Sequence, residues 1–121
     1  IKNMSCLFNS LSHFFGMDSN SIRQIICNYL ETNPEIIDGL NTHFILSLDN
    51  ISPQNYIRRM RMQETWGGGI EIKAACNIWK VTILIYNIRD PYNKLIEFLP
   101  EKGESRGIIK LSWNGSHFEP M

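Results

Sequence analysis

The spacing of apolar residues changes once along this chain, near Trp79, and that change limits the class of fold it can adopt. Upstream, apolar side chains recur every three or four residues. After Cys6, the residues Leu7, Leu11, Phe14 and Phe15 share one helical face, and Gly16 stops the run as a C-terminal glycine does. A second helix is predicted from Asp18 or Ser19, with Ile22, Ile25, Ile26, Tyr29 and Leu30 on one face, ending before Asn33-Pro34. Between Glu35 and Asn50 the apolar residues keep no clear period, and no element is assigned there. Ser52-Pro53 reads as an N-cap with proline at the first helical position, opening a helix through Tyr56, Ile57 and Met60, while Arg58, Arg59 and Arg61 form its solvated faces. The run Gly67-Gly68-Gly69 breaks the chain, and Ile70, Ala74, Ala75 and Ile78 then carry a central helix to about Trp79.

Downstream, Val81-Thr82-Ile83-Leu84-Ile85-Tyr86 is too rich in β-branched residues for a helix. Asp90-Pro91-Tyr92-Asn93 supplies turn chemistry, Leu95 to Leu99 alternates as a strand, and a loop from Gly103 to Gly107 leads to a strand from Ile108 to Ser112. Asn114-Gly115 is a hairpin cue before a last strand holding His117 and Phe118. Helices first and an antiparallel meander last predict an α+β fold, with the helices packed on a small, mainly antiparallel sheet. At 121 residues the chain is read as a single domain, 1–121, without internal repeats or linkers.

Charge and cysteine usage narrow the function. Twelve Lys and Arg balance twelve Asp and Glu, so no global field favours nucleic acid or an anionic membrane as partner. The longest apolar stretch, around Ile78 to Tyr86, contains Lys80 and is far shorter than the roughly 20 residues a span requires. The start does not resemble a signal peptide, and the absence of an initiating Met suggests a domain cut from a longer protein. Three cysteines cannot all pair and none lies in a C-x-x-C arrangement, which points to a reducing, cytoplasmic setting. The cysteines and histidines lack any recognised zinc spacing, and no Lys-Ser/Thr pair follows the glycine run as a phosphate loop requires. No metal or cofactor is expected.

The reactive candidates sit at the two ends. Cys6 begins the first helix, where the partial positive charge of a helix N-terminus favours thiolate over thiol, and His117 lies on the terminal strand as a prospective base. His13 is seven residues beyond Cys6 on the same helix, about 10 Å along its axis, and cannot form a dyad with it. His43 has no acidic neighbour and reads as a surface or satisfied core residue; Cys27 and Cys76 read as small core hydrophobes.

The segment Asn3-Met4-Ser5-Cys6-Leu7-Phe8-Asn9-Ser10-Leu11 resembles the D-G-N-C-L-F-x-S-L nucleophile segment of the ovarian-tumour (OTU) family of papain-like cysteine proteases. Tyr56-Ile57-x-x-Met60 followed by Trp66-Gly67-Gly68-Gly69-Ile70-Glu71 resembles its Y-[LI]-x-x-M and W-G-G-x-x-E block, and His117-Phe118-Glu119-Pro120 its terminal histidine strand. These matches run in order from end to end. The resemblance implies hydrolysis of the peptide or isopeptide bond after the C-terminal glycine of ubiquitin or a ubiquitin-like protein, by a monomer without cofactor. Cys6 would attack, His117 would move the proton, and backbone N–H groups around Asn3 to Cys6 would hold the oxyanion. Gly68 and Gly69, within the run from Gly67, would let backbone approach a narrow channel for a Gly-Gly tail. Trp66 would pack as support and Trp113 would wall the channel, the alternative for either being core or sheet packing.

Two positions depart from the family pattern. Asn3 stands where Asp is common, and its side chain could donate to the oxyanion as an ionised Asp cannot. Glu119 stands where Asp or Asn often follows the histidine by two; it could reach the imidazole and hold its tautomer, or it could be a solvent-facing strand carboxylate. These departures leave open an alternative, a catalytically impaired pseudoenzyme serving as a ubiquitin-binding module. A thiol hydrolase or acyltransferase with another substrate is a third reading.

Overall fold

The computed structural model describes residues 4–90, 92 and 94–121. Its helices are α1 (Cys6–Phe15), α2 (Ser19–Thr32), α3 (Thr42–Leu46), α4 (Pro53–Met60) and α5 (Gly69–Trp79), and its strands β1 (Thr82–Asn87), β2 (Leu95–Phe98), β3 (Ile108–Trp113) and β4 (Phe118–Pro120). The α+β class is as expected. Local chemistry sets most boundaries. Gly16 closes α1 in the left-handed region at φ 67°, where a Cβ would strain the backbone. Asp18 caps α2 by accepting the Ser21 N–H at 2.9 Å, and Ser52 caps α4 by accepting the Asn55 N–H at 3.2 Å, with Pro53 behind it.

The sheet departs from a meander. Its order is β2-β1-β3-β4: β1 pairs antiparallel with β2 on one edge and parallel with β3 on the other, and β3 pairs antiparallel with β4. After β2 the chain therefore passes β1 before it re-enters the sheet. Turn residues mark where a chain reverses, not which edge it joins. β1 takes the inner position because it carries two of the most buried side chains, Ile83 and Ile85, in register with Ile109 and Leu111 of β3.

Segment 35–50, left unassigned from its pattern, holds an isolated bridge between Ile37 and Leu40 and the five-residue α3. One turn and a half of helix is too short to display a period. The core gathers Leu7, Phe8 and Leu11 of α1, Ile22, Ile26 and Leu30 of α2, Ala74 and Ala75 of α5, and the four strand residues above. Helix α1 packs against α2 and against β4, which brings the chain's two ends together.

Candidate active site

Cys6 is the first residue of α1 and half-buried, whereas Cys27 and Cys76 are fully buried. All three are free thiols. Burial pushes the Cys27 and Cys76 thiols up to about 11, which keeps both protonated and unreactive at neutral pH.

Two open spaces meet at Cys6. The first, about 360 Å³, runs from Cys6 along Gly67, Gly68 and Gly69 to Phe98, Trp113 and Phe118. The second, about 350 Å³, is bounded by Cys6, Asn9, Ser10, His117, Phe118 and Glu119. The structure thus gathers Cys6, His117, Glu119, Trp113, Gly68 and Gly69 around one locus from both ends of the sequence. Asn3 lies outside the described residues. His13 and His43 are exposed and line neither space.

The histidine is held by a hairpin whose turn is organised by one side chain. Asn114 Oδ1 accepts the N–H groups of Ser116 and His117 at 3.0 and 2.8 Å and the Ser116 hydroxyl at 3.2 Å. Arg89 donates to the Asn114 carbonyl at 3.3 Å, and Gly115 turns at φ 99° beneath it. His117 directly precedes β4. Its Nε2 lies 3.4 Å from Glu119 Oε1, so the strand carboxylate reaches the imidazole at Nε2, and among the described residues Nδ1 has no hydrogen-bond partner.

The glycine run divides by position. A Cβ on Gly67 would lie 2.8 Å from Leu7 Cδ2 and 2.8 Å from Phe8 Cζ, both on core side chains, so this glycine presses the loop onto α1. A Cβ on Gly68 would meet nothing within 4 Å, and one on Gly69 only Phe98 at 3.8 Å. Both border the first open space, whose wall they leave without side chains. Trp66 corrects the sequence reading: it is 52% exposed and borders the first space instead of packing inside. With Gly67 seated on α1, the side chain before it is left outside. Trp113 is partly buried, stacks near Phe118 with centroids 6.2 Å apart, and walls the same space.

Two buried charged residues lie behind this site, neither given a role in the sequence: Glu71 stood there only as the last residue of the W-G-G-x-x-E block, and Arg23 was not singled out. Glu71, 1% exposed, accepts the Gly68 N–H at 2.8 Å and the Tyr56 hydroxyl at 2.7 Å, fastening the glycine loop to α4. Burial raises its carboxyl above the ordinary value against the pull of those two donors. The signal available was an acid three residues after an N-cap. Arg23, fully buried, donates from Nη1 to the Met60 carbonyl at 2.7 Å and from Nη2 to Ser5 Oγ at 3.0 Å, with its guanidinium 4.2 Å over the Phe8 ring. Its signal was its place four residues before buried Cys27 on the same helical face. Met4 N–H is engaged by the Gln63 carbonyl at 2.9 Å, which removes it from the amides expected to face an oxyanion. Among the described residues no three His, Cys, Asp or Glu side chains gather as a metal site would need.

Residues 5–113 match the sequence model of the family described as OTU-like cysteine protease. The otu1 protein of Schizosaccharomyces pombe is 28% identical over 119 residues, covering 95% of this chain and 32% of that one. Ubiquitin thioesterase otu2 of the same yeast is 27% identical over 99 residues, 74% of this chain and 32% of that one. The chain spans about a third of the length of these curated relatives. The solved structure of an ovarian-tumour domain in complex with ubiquitin superposes with a TM-score of 0.75 at 22% identity, covering 99% of this chain and 64% of that one, and shares its fold. With the family model matched over nine-tenths of its length and the nucleophile segment and histidine hairpin meeting in space, the chain belongs to the OTU-like cysteine protease family.

Proposed function

We propose that this domain hydrolyses the peptide or isopeptide bond that follows the C-terminal glycine of ubiquitin or a ubiquitin-like protein. The observation that carries this reading is the meeting of two spaces at Cys6, one walled by bare glycines and Trp113, the other by His117 and Glu119. A Gly-Gly tail lacks side chains and would lie along Gly68 and Gly69, where backbone can approach backbone. Cys6 Sγ would attack the carbonyl carbon as His117 takes the thiol proton. The resulting tetrahedral oxyanion would be met by amides at the start of α1. Collapse would expel the lysine or α-amine, which takes its proton from His117, and a water activated by the same imidazole would release the acyl group from sulfur. Glu119 would hold the orientation of the imidazole through Nε2. Ubiquitin bound to a neighbour of the same fold, and the thioesterase name of a yeast relative, support the substrate class.

The free state of all three cysteines supports a reducing, cytoplasmic setting, and no helix among the described residues is long and apolar enough to cross a membrane. The Glu119 contact favours turnover over the pseudoenzyme alternative, since it would supply the orienting group at one of the two departures that raised that alternative, the other being Asn3. Incubation with ubiquitin carrying a C-terminal electrophile tests the assignment. A covalent adduct at Cys6, lost in Cys6→Ala, is expected, together with cleavage of ubiquitin conjugates that both Cys6→Ala and His117→Ala abolish. Binding of ubiquitin without adduct or turnover would select the pseudoenzyme instead.

A further inference from the structure

Arg23 is a cation with none of its side chain in solvent and, among the described residues, no carboxylate within 4 Å. A guanidinium keeps its proton in proteins, so its charge must be accommodated in place. An apolar side chain of similar volume would fill the same space without that desolvation. Packing alone does not account for it.

Its contacts converge on the residues just before the nucleophile. Nη2 donates to Ser5 Oγ at 3.0 Å and, more weakly, to the Met4 carbonyl at 3.5 Å, while Nη1 anchors on the Met60 carbonyl at the negative end of α4. The described residues contain no cis peptide bond, so the carbonyl of Met4 and the N–H of Ser5 point in opposite directions across one planar unit. Drawing the carbonyl toward the buried guanidinium turns the Ser5 N–H away from the core. The Met4 N–H is fixed from the other side by Gln63. Among the described residues neither the Ser5 nor the Cys6 N–H has an acceptor, leaving two adjacent donors at the start of α1 beside the nucleophile's sulfur.

We propose that Arg23 is a positioning residue that, through Ser5 and the Met4 carbonyl, aims the Ser5 and Cys6 amides at the oxyanion of the tetrahedral intermediate. This inference rests on the thiol-hydrolase reading of Cys6 and does not require ubiquitin as the substrate. Arg23 touches no reacting atom.

Two variants test it. Ser5→Ala removes one acceptor with little change in volume. Arg23→Lys keeps the charge, but a single ammonium on a shorter reach cannot serve Ser5 and Met60 together. Three readouts are needed: steady-state kinetics on a fluorogenic ubiquitin C-terminal amide, the same on a small activated ester, and the rate at which iodoacetamide alkylates Cys6. Arg23→Lys is expected to lower kcat about 10- to 100-fold on both substrates with KM within about twofold, and Ser5→Ala about 3- to 10-fold. Alkylation forms no oxyanion and should stay within about twofold of the wild type. If kcat is unchanged in both variants, or if alkylation falls in step with kcat, the proposal is overturned. Should Arg23→Lys fail to fold, the kcat of Ser5→Ala decides. A wild-type domain that hydrolyses the ester but not the ubiquitin amide overturns the substrate assignment alone, and the ester kinetics of the variants still judge the role of Arg23.

Discussion

The carboxylate of Glu71 holds the wall of the cleft from inside, and its strength can be worked from its two donors. Tyr56→Phe removes the hydroxyl that reaches Oε2 at 2.7 Å and leaves the Gly68 N–H, at 2.8 Å, as the remaining partner. A hydrogen bond to a charged group contributes about 1.5 to 3 kcal/mol, and a folded chain of 121 residues has roughly 6 to 18 kcal/mol of net stability. The variant should therefore fold, with a loss easily read in urea. Glu71→Gln is milder in shape: its amide oxygen can accept from Gly68 and its NH₂ can donate to the tyrosine oxygen, which accepts as well as donates. It also removes the charge, and here pH separates the two effects. Burial raises the Glu71 carboxyl, so the native state binds the proton more tightly than the unfolded chain does. The favourable contribution is then complete below the unfolded value near 4.3 and is lost as pH rises through the native value, with a slope of at most about 1.4 kcal/mol per pH unit for one proton. Wild type should lose stability relative to Glu71→Gln as pH rises from 4 to 8. Tyr56→Phe should carry that loss on to higher pH and so enlarge it, because the tyrosine donor favours the charged form. Urea unfolding followed by tryptophan fluorescence across this range is the assay. A wild type that gains on Glu71→Gln with rising pH, or a Tyr56→Phe variant as stable as wild type, refutes the reasoning.

Three further outcomes are expected. Glu119→Ala should lower kcat by ~10- to ~1000-fold with KM little changed, about 1.4 to 4 kcal/mol of transition-state stabilisation; unchanged steady-state kinetics on the ubiquitin amide would remove Glu119 from the orienting role. Gly67→Ala should destabilise by about 1 to 3 kcal/mol in urea, because Leu7 and Phe8 are too buried to yield to a new Cβ, while a wild-type midpoint would show that the loop shifts freely. Cys27→Ser and Cys76→Ala should keep turnover if folded, and iodoacetamide at neutral pH should label Cys6 alone by mass spectrometry, since burial holds the other two thiols at about 11.

What was legible in the sequence was what nearby residues decide. Gly16, the Asp18 cap and Ser52-Pro53 each act within three residues of themselves, and α1, α2 and α4 begin or end where they say. The order of strands was not legible, because β1 and β3 pair over 26 residues through hydrogen bonds that carry no residue identity. Trp66 misled for a related reason. A tryptophan beside a glycine run reads as packing, and only the seating of Gly67 on Phe8 shows that its neighbour faces outward. The candidate pair, Cys6 and His117, was visible through the resemblance of its two segments, whereas the groups that brace its surroundings have partners 15 to 37 residues away.

Those braces share one physical logic. The backbone before α1 and the glycine run before α5 each lead into a helix N-terminus, where the first amides have no intrahelical acceptor. Each is instead tied from beneath by one buried ionic side chain, Arg23 under Met4 and Ser5, Glu71 under Gly68. Burial works against the charged form of each, and across the core each offsets a small part of that cost for the other, the cation favouring an ionised Glu71 and the carboxylate favouring the guanidinium. Each side of the cleft is thus braced by its own buried, charge-bearing side chain through hydrogen bonds to nearby backbone or hydroxyl groups, the two set 48 residues apart in the chain.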